Sequence, residues 1–250
     1  MSVVSLKKVS VDFPIFNGEK FSLRSTIINK LGGQLAEEND SVSSVKALKD
    51  ITFDVQKGDR IGLVGHNGSG KSTLLRTIAG IYTHTSGELR VSGNVSTLFD
   101  IGSGFNDEMT GNENLFFGAL VYGNSFKKAK ESMTAMQEFT ELGDYLNLPM
   151  RTYSQGMKTR IGFAVATNFE PEILLIDEVF GAGDKDFFEK SKKRIESLVE
   201  KSNALFLASH SDDLIRKFCN KAILMSHGEM KAFGAVEDVF SLYYEKNPEV

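Results

Sequence analysis

Tryptophan is missing from the 250 residues, cysteine occurs once, as Cys219, and proline only four times. A single cysteine cannot close an intramolecular disulfide, so a reducing compartment is expected, with Cys219 a buried, inert thiol in a helical stretch. No apolar run approaches the ~20 residues that cross a bilayer, and Met1-Ser2-Val3-Val4-Ser5-Leu6-Lys7-Lys8 lacks the basic-then-apolar order of a signal peptide. Any work at a membrane is therefore expected to come through a partner. Neither sign of charge dominates: the net charge is −4 and the pI about 5.7, which gives no electrostatic footprint for nucleic acid. No internal repeat is visible. With 41% hydrophobic and 25% charged residues, the composition suits one large α/β domain or two small ones.

What is present centres on Gly65-His66-Asn67-Gly68-Ser69-Gly70-Lys71-Ser72-Thr73, which fits G-x-x-x-x-G-K-[ST]. Arg60-Ile61-Gly62-Leu63-Val64 before it has the texture of a buried strand, and Leu74 to Ala79 after it continues as a helix. Strand, loop and helix is the context the motif needs. The glycines let the backbone curl so that successive N–H groups face a polyphosphate on the helix N-terminus. Lys71 then reaches the β- and γ-phosphates, and the Ser72 hydroxyl is placed to ligate Mg²⁺.

Around this loop the pattern alternates. Val3 to Phe13 has strand character with Val9, Val11 and Phe13 on one face, and Phe13 is either core or a ring that stacks on a purine. Leu23, Ile27 and Leu31 recur as on a short amphipathic helix that stops at Gly32-Gly33. It packs on its own domain or on a partner; Gln34 to Ser44 reads as a mobile connector. Strand character resumes over Lys46 to Val55. Glu88 to Val91 and Asn94 to Phe99 are expected to close a small β layer, followed by a break at Gly102-Ser103-Gly104. Thr110 to Phe169 has helical spacing in three groups, around Leu115, Met136 and Ile161, and is expected to form a largely helical insertion between two strand-rich parts. Helix is expected over Lys190 to Lys201 and Asp212 to Cys219, strand over Ala204 to Ala208, and a hairpin over Ala222 to Phe233 turning at Gly228.

Ile173-Leu174-Leu175-Ile176 is the continuous apolar run of a strand buried on both faces, and Asp177-Glu178 follow it. In open α/β sheets the ligand lies at the carboxyl ends of the strands, so both carboxylates are expected to face the nucleotide held by the loop. Asp177 suits Mg²⁺ and Glu178 suits an attacking water. His210 ends the next strand and can donate to the γ-phosphate. Ser154 is an N-cap candidate for the helix from Thr159 to Phe169, whose free, positive N-terminus suits an anion.

In this order the motifs resemble those of ATP-binding-cassette ATPases, the nucleotide-binding subunits of ABC transporters, over essentially the whole chain. Gly65 to Ser72 is similar to Walker A, Ile173 to Asp177 to Walker B with Glu178 the catalytic carboxylate, Ser154 to Met157 to the signature, Gly181 to Asp184 to the D-loop, and His210 to the switch histidine. The resemblance implies a P-loop NTPase core of RecA type with an antiparallel β subdomain, a helical signature subdomain at about 105–169, and an inserted helix and linker at about 17–45. It further implies a head-to-tail homodimer with two ATPs between the copies, in which Ser154 and Gly156 of one copy contact the γ-phosphate held by Lys71 of the other. The nucleotide contacts would include Phe13, Gly65, His66, Asn67, Gly68, Ser69, Gly70, Lys71, Ser72, Thr73 and Asp184. Catalysis would rest on Glu178, His210 and Lys71, and the metal site on Ser72, Asp177 and Asp100.

Tyr153-Ser154-Gln155-Gly156-Met157 departs from the common L-S-G-G-Q, and Asp100 stands where the Q-loop glutamine is usual. Both resemble the polysaccharide-exporting branch, as do Gly102-Ser103-Gly104-Phe105 and Gly181 to Phe187; Gln155 is unusual even there. Within that branch Phe13 is the first choice for stacking on adenine and Phe16 the second, and the chain resembles the type without a C-terminal carbohydrate-binding domain. The resemblance implies a lipid-linked glycan such as O antigen as cargo, two copies of a polytopic membrane permease as partners, and a place on the cytoplasmic face of the inner membrane. The alternatives are a soluble ABC ATPase or an ATPase subunit for another transported substrate.

Overall fold

The computed structural model describes residues 2–14, 44–99, 101, 104–168, 170–177 and 185–246. The expected helix over Leu23 to Leu31 with its linker, Phe16, Asp100, Glu178 and the Gly181 to Asp184 loop lie outside these residues.

Two sheets share one core. Strands β1 (Ser2–Pro14), β2 (Ser44–Gln56) and β4 (Ser86–Val91) form an antiparallel sheet in the order β2-β1-β4. The larger sheet runs β5-β6-β7-β3-β8-β9, from β3 (Arg60–Val64), β5 (Val95–Leu98), β6 (Ile173–Asp177), β7 (Ala204–Ala208), β8 (Lys221–Ser226) and β9 (Glu229–Ala235). Every pairing in it is parallel except the β8-β9 hairpin.

The apolar runs explain this sheet. Alternate residues of β3, β6 and β7 enter opposite cores: Ile61, Leu63, Ile173, Leu175 and Phe206 pack toward the antiparallel sheet, while Leu174, Ile176, Leu205 and Leu207 pack into a second cluster. A strand buried on both faces has no polar side to present, hence the continuous runs. Gly62 allows one close approach, because a Cβ there would stand 2.5 Å from Ile215 Cγ2.

One expectation is corrected here. The residues from Asn94 to Phe99 were to close the small β layer with Glu88 to Val91; instead β5 pairs in parallel with β6 at the edge of the large sheet. Ser92 and Gly93 separate two strands of opposite destiny, and local pattern does not reveal which sheet offers the partner.

In β1 the inward face is reset by a bulge. Lys8 has φ 50°, its N–H donates to Thr52 Oγ1 at 2.9 Å, and Asp50, at φ 49°, donates to Ser10 Oγ at 3.0 Å. Val4 and Leu6 before the bulge and Val9 and Val11 after it are all buried, whereas Phe13 runs past the core edge and is 36% exposed.

Helices complete the fold: α1 (Lys71–Ile78), α2 (Gly111–Val121), α3 (Phe126–Thr140), α4 (Gln155–Ala166), α5 (Lys185–Lys201), α6 (Asp212–Phe218) and α7 (Val236–Lys246). Helices α2, α3 and α4 make a layer with its own core of Leu115, Ala119, Met136, Met150 and Ile161. Thr110 and Glu113 form a reciprocal capping box that starts α2. Cys219 ends α6, and burial pushes its thiol up to about 12, which fits an inert group.

Candidate functional site

The loop from Gly65 to Gly70 leaves the carboxyl end of β3 and enters α1. Gly65, Gly68 and Gly70 all have left-handed φ, at 147°, 78° and 109°. At Gly65 the need is also steric: a Cβ would fall 2.2 Å from the Met225 carbonyl oxygen. Lys71 is buried and folds back over the loop, donating to Gly65 O at 2.6 Å and His66 O at 3.1 Å. Ser69 is 1% exposed, and its hydroxyl finds no hydrogen-bond partner among the described residues.

Sheet register brings two more groups to this edge. Leu63 of β3 and Asp177 of β6 both pair with Ala208 of β7, so the ends of three adjacent parallel strands are level. Asp177 and His210, two residues beyond β7, therefore line the same cleft of about 650 Å³ as Asn67, Gly68, Lys71, Ser72 and Thr73.

A second glycine-bearing helix start lies elsewhere. Ser154 caps α4, its Oγ accepting from Met157 N at 3.3 Å, and Ser154, Gln155 and Gly156 are all exposed. None of the three lines the cleft. Tyr153 before them is buried, with its hydroxyl donating to Tyr145 O at 2.5 Å and its pKa raised by burial.

Comparison with known proteins places this architecture. A family model described as "ABC transporter" matches residues 48–181, more than half of the chain. The chain belongs to the ABC transporter family. It is 46% identical to the O-antigen export system ATP-binding protein RfbE of Yersinia enterocolitica, over 91% of this chain and 96% of that protein. It is 37% identical to the teichoic acids export ATP-binding protein TagH of Enterococcus faecalis over 90% of this chain, and spans 50% of that protein's length. A solved structure of the ATP-binding subunit of an ABC transporter matches in fold with a TM-score of 0.70 at 20% identity, covering 98% of this chain and 95% of its own.

As an ABC ATPase the chain binds and hydrolyses ATP, and the cleft fits a triphosphate on its own evidence. The cradle turns at Gly65, where no Cβ fits, an orphaned Ser69 hydroxyl sits in it, and the Lys71 ammonium is held over it by the carbonyls of Gly65 and His66. Ser72 and Asp177 supply hard oxygen donors across the cleft, of the kind Mg²⁺ takes. Among the described residues no group of three or more His, Cys, Asp or Glu converges.

Phe13 does not line the cleft, but its cross-strand partner Val45 does. The Phe13 ring is held edge-on by Tyr82, with centroids 5.1 Å apart and planes at 79°, an arrangement that fixes the ring while leaving it 36% exposed. The residue is thus not core, although the strand pattern alone allowed that.

Sequence reasoning passed over the far wall. Lys46, Lys49, Arg76, His227 and Gly228 line the cleft too. His227 and Gly228 both have positive φ, at 49° and 79°, as a tight hairpin turn requires. Gly228 N donates to Ser69 O at 2.9 Å and Gly228 O accepts from Lys49 N at 2.8 Å, so the hairpin tip is stitched to the phosphate loop and to β2. The only local signal was the glycine of the turn. That it abuts a loop some 160 positions earlier follows from strand order, which no local window contains.

Proposed function

We propose that the chain is the ATP-hydrolysing subunit of an exporter that moves a lipid-linked polysaccharide, O antigen or a related cell-surface glycan, across the cytoplasmic membrane. The observation that carries this is the 46% identity to an O-antigen export ATP-binding protein along 96% of that protein. A teichoic acid export relative at 37% identity supports the class of cargo. No described helix is long and apolar enough to cross a membrane, which agrees with a subunit that docks on a polytopic permease from the cytoplasmic face.

In this proposal Lys71 and the loop amides hold the β- and γ-phosphates, Ser72, Asp177 and Asp100 hold Mg²⁺, Glu178 orients the attacking water, and His210 donates to the γ-phosphate. Asp184 of the D-loop motif binds nucleotide, and Phe13 stacks on adenine. Mg²⁺, when bound, neutralises charge on the phosphates; the chain's own residues position and deprotonate. Ser154 and Gly156 act on the nucleotide of a second copy, which explains why α4 offers an uncovered N-terminus remote from its own cleft. Helices α2 to α4 would form the signature subdomain that passes closure to two permease copies. Phe117, Val121 and Phe126, respectively 46%, 82% and 67% exposed at its tip, supply an apolar surface for that contact.

Deleting the reading frame should leave undecorated cells in which the lipid-linked glycan accumulates inside. Wild-type protein should restore export and Lys71→Ala should not. Normal surface glycan in the deletion strain would overturn the proposal.

A further inference from the structure

The helix that follows His210 is held from outside. Helix α6 begins at Asp212, two residues beyond His210, and its N-cap residue Ser211 makes no side-chain cap. Instead the Asp212 carboxylate accepts from the hydroxyl of Tyr244 on α7. Arg216 lies 3.6 Å from the same carboxylate and donates from Nε to Glu237 of α7 at 3.0 Å. Its guanidinium stands 4.5 Å over the ring of Phe240, and that ring stacks on Tyr244 at 6.1 Å. The contacts close a ring between the two helices.

Each polar contact alone is exposed and worth little. Their common anchor is not. Phe240 is 1% exposed and packs with Val64, Ile215, Leu224 and Val239, and Gly62 lets Ile215 of α6 lie directly against β3. Helix α7 is therefore fixed to the sheet, and α6 is fixed to α7 at its first residue. The turn from Ser209 to Ser211, where Ser211 N donates to Ser209 Oγ at 3.0 Å, spans between buried β7 and that tethered end.

We infer that Tyr244 and Asp212 are positioning residues for His210: helix α7, through them, sets where the histidine stands at the phosphate end of the cleft. The inference rests on the proposal that His210 faces the γ-phosphate. It assigns α7, which no residue of the cleft belongs to, a part in turnover.

The test uses the full chain. Tyr244→Phe and Asp212→Asn should each lower kcat for ATP hydrolysis about threefold to tenfold while KM for ATP stays put, since ground-state binding is made by the loop. Combined with His210→Ala, Tyr244→Phe should cost nothing more. The chain has only four histidines, so imidazole NMR gives a direct readout: the signal lost in His210→Ala should shift in Tyr244→Phe, and those of His66, His84 and His227 should not. An unmoved signal with unchanged kcat overturns the inference, as does an equal loss of turnover in the His210→Ala background, which would make α7 a general prop. Full activity of His210→Ala itself would remove the role of the histidine and the tether together.

Discussion

Of the helix starts that carry glycines, those of α1 and α4 have opposite surroundings. At the entrance to α1 a Cβ on Gly65 would meet the Met225 carbonyl at 2.2 Å, and one on Gly70 would meet the Ala47 carbonyl at 3.2 Å. At the entrance to α4 the nearest atom to a Cβ on Gly156 is Ser154 Oγ, at 3.9 Å. The first loop is shaped by its own molecule, with β2, the β8-β9 hairpin and Lys71 pressing on it. Among the described residues nothing presses on the second. If Gly156 is needed, the need comes from a surface this chain does not supply to itself.

The comparison breaks first, and hardest, at Gly65. Gly65→Ala places a methyl against a backbone carbonyl at a φ that L residues avoid, at a cost of about 3 kcal/mol or more. For a chain of this size the Tm should drop by about 5 °C or more, with nucleotide binding lost. A variant with wild-type Tm would show that the hairpin yields easily and that the loop is not shaped from within.

Next in size is the proposed site shared between two copies. Mixing Ser154→Arg with Lys71→Ala subunits leaves one intact pairing of loop and α4 tip per dimer, so isolated mixed dimers should turn over at up to half the wild-type rate where either variant alone is inactive. Mixed dimers as inactive as either variant alone would mean that each chain works from its own residues. A milder form is Gly156→Ala, for which Tm should hold within about 1 °C, as surface changes usually do, while hydrolysis falls roughly tenfold because the methyl enters the closed contact. A fall in Tm with no loss of hydrolysis would reverse the contrast between the two glycines.

How far the sequence reached follows the same division. The loop, its strand and helix, Asp177 and His210 were legible because phosphate binding and double burial each leave a local mark: glycine spacing in one case, unbroken apolar runs in the other. The Ser154 cap was legible for the same reason. Illegible were the features made by distant pairing. Residues 95–98 look alike whether they extend the small sheet or the large one, and the partner, β6, lies some 75 positions on. His227, Lys46 and Lys49 entered the cleft wall through strand order, and Phe13 left the core because β1 runs on past the core edge, which shows in no residue type.

The smallest effect concerns how the α4 side of the comparison is fastened to the rest. Helix α3 ends at Glu141, in the left-handed region at φ 57°, and its last carbonyls are met by cations from two other helices. Arg160 of α4 donates to Thr140 O at 3.0 Å, and Lys190 of α5 donates to Phe139 O at 3.1 Å and to Glu141 Oε1 at 2.6 Å. Positive groups at a helix C-terminus oppose the negative end of its dipole. The hydrogen bond from Lys190 holds the Glu141 carboxyl below its ordinary value of 4.5, with the charges of Lys190 and Arg160 acting in the same direction. A depressed carboxylate contributes stability that is present above 4.5 and fades as pH falls through the lowered folded value. Because Glu141 is half exposed, that contribution is at most about 0.5 kcal/mol after screening, or about 1–2 °C in Tm. Melting curves of Glu141→Gln should therefore lie below wild type at pH 7 and converge with it below pH 4. A gap that persists unchanged into acid would show that the carboxylate's charge plays no part in fastening the helical layer to α5.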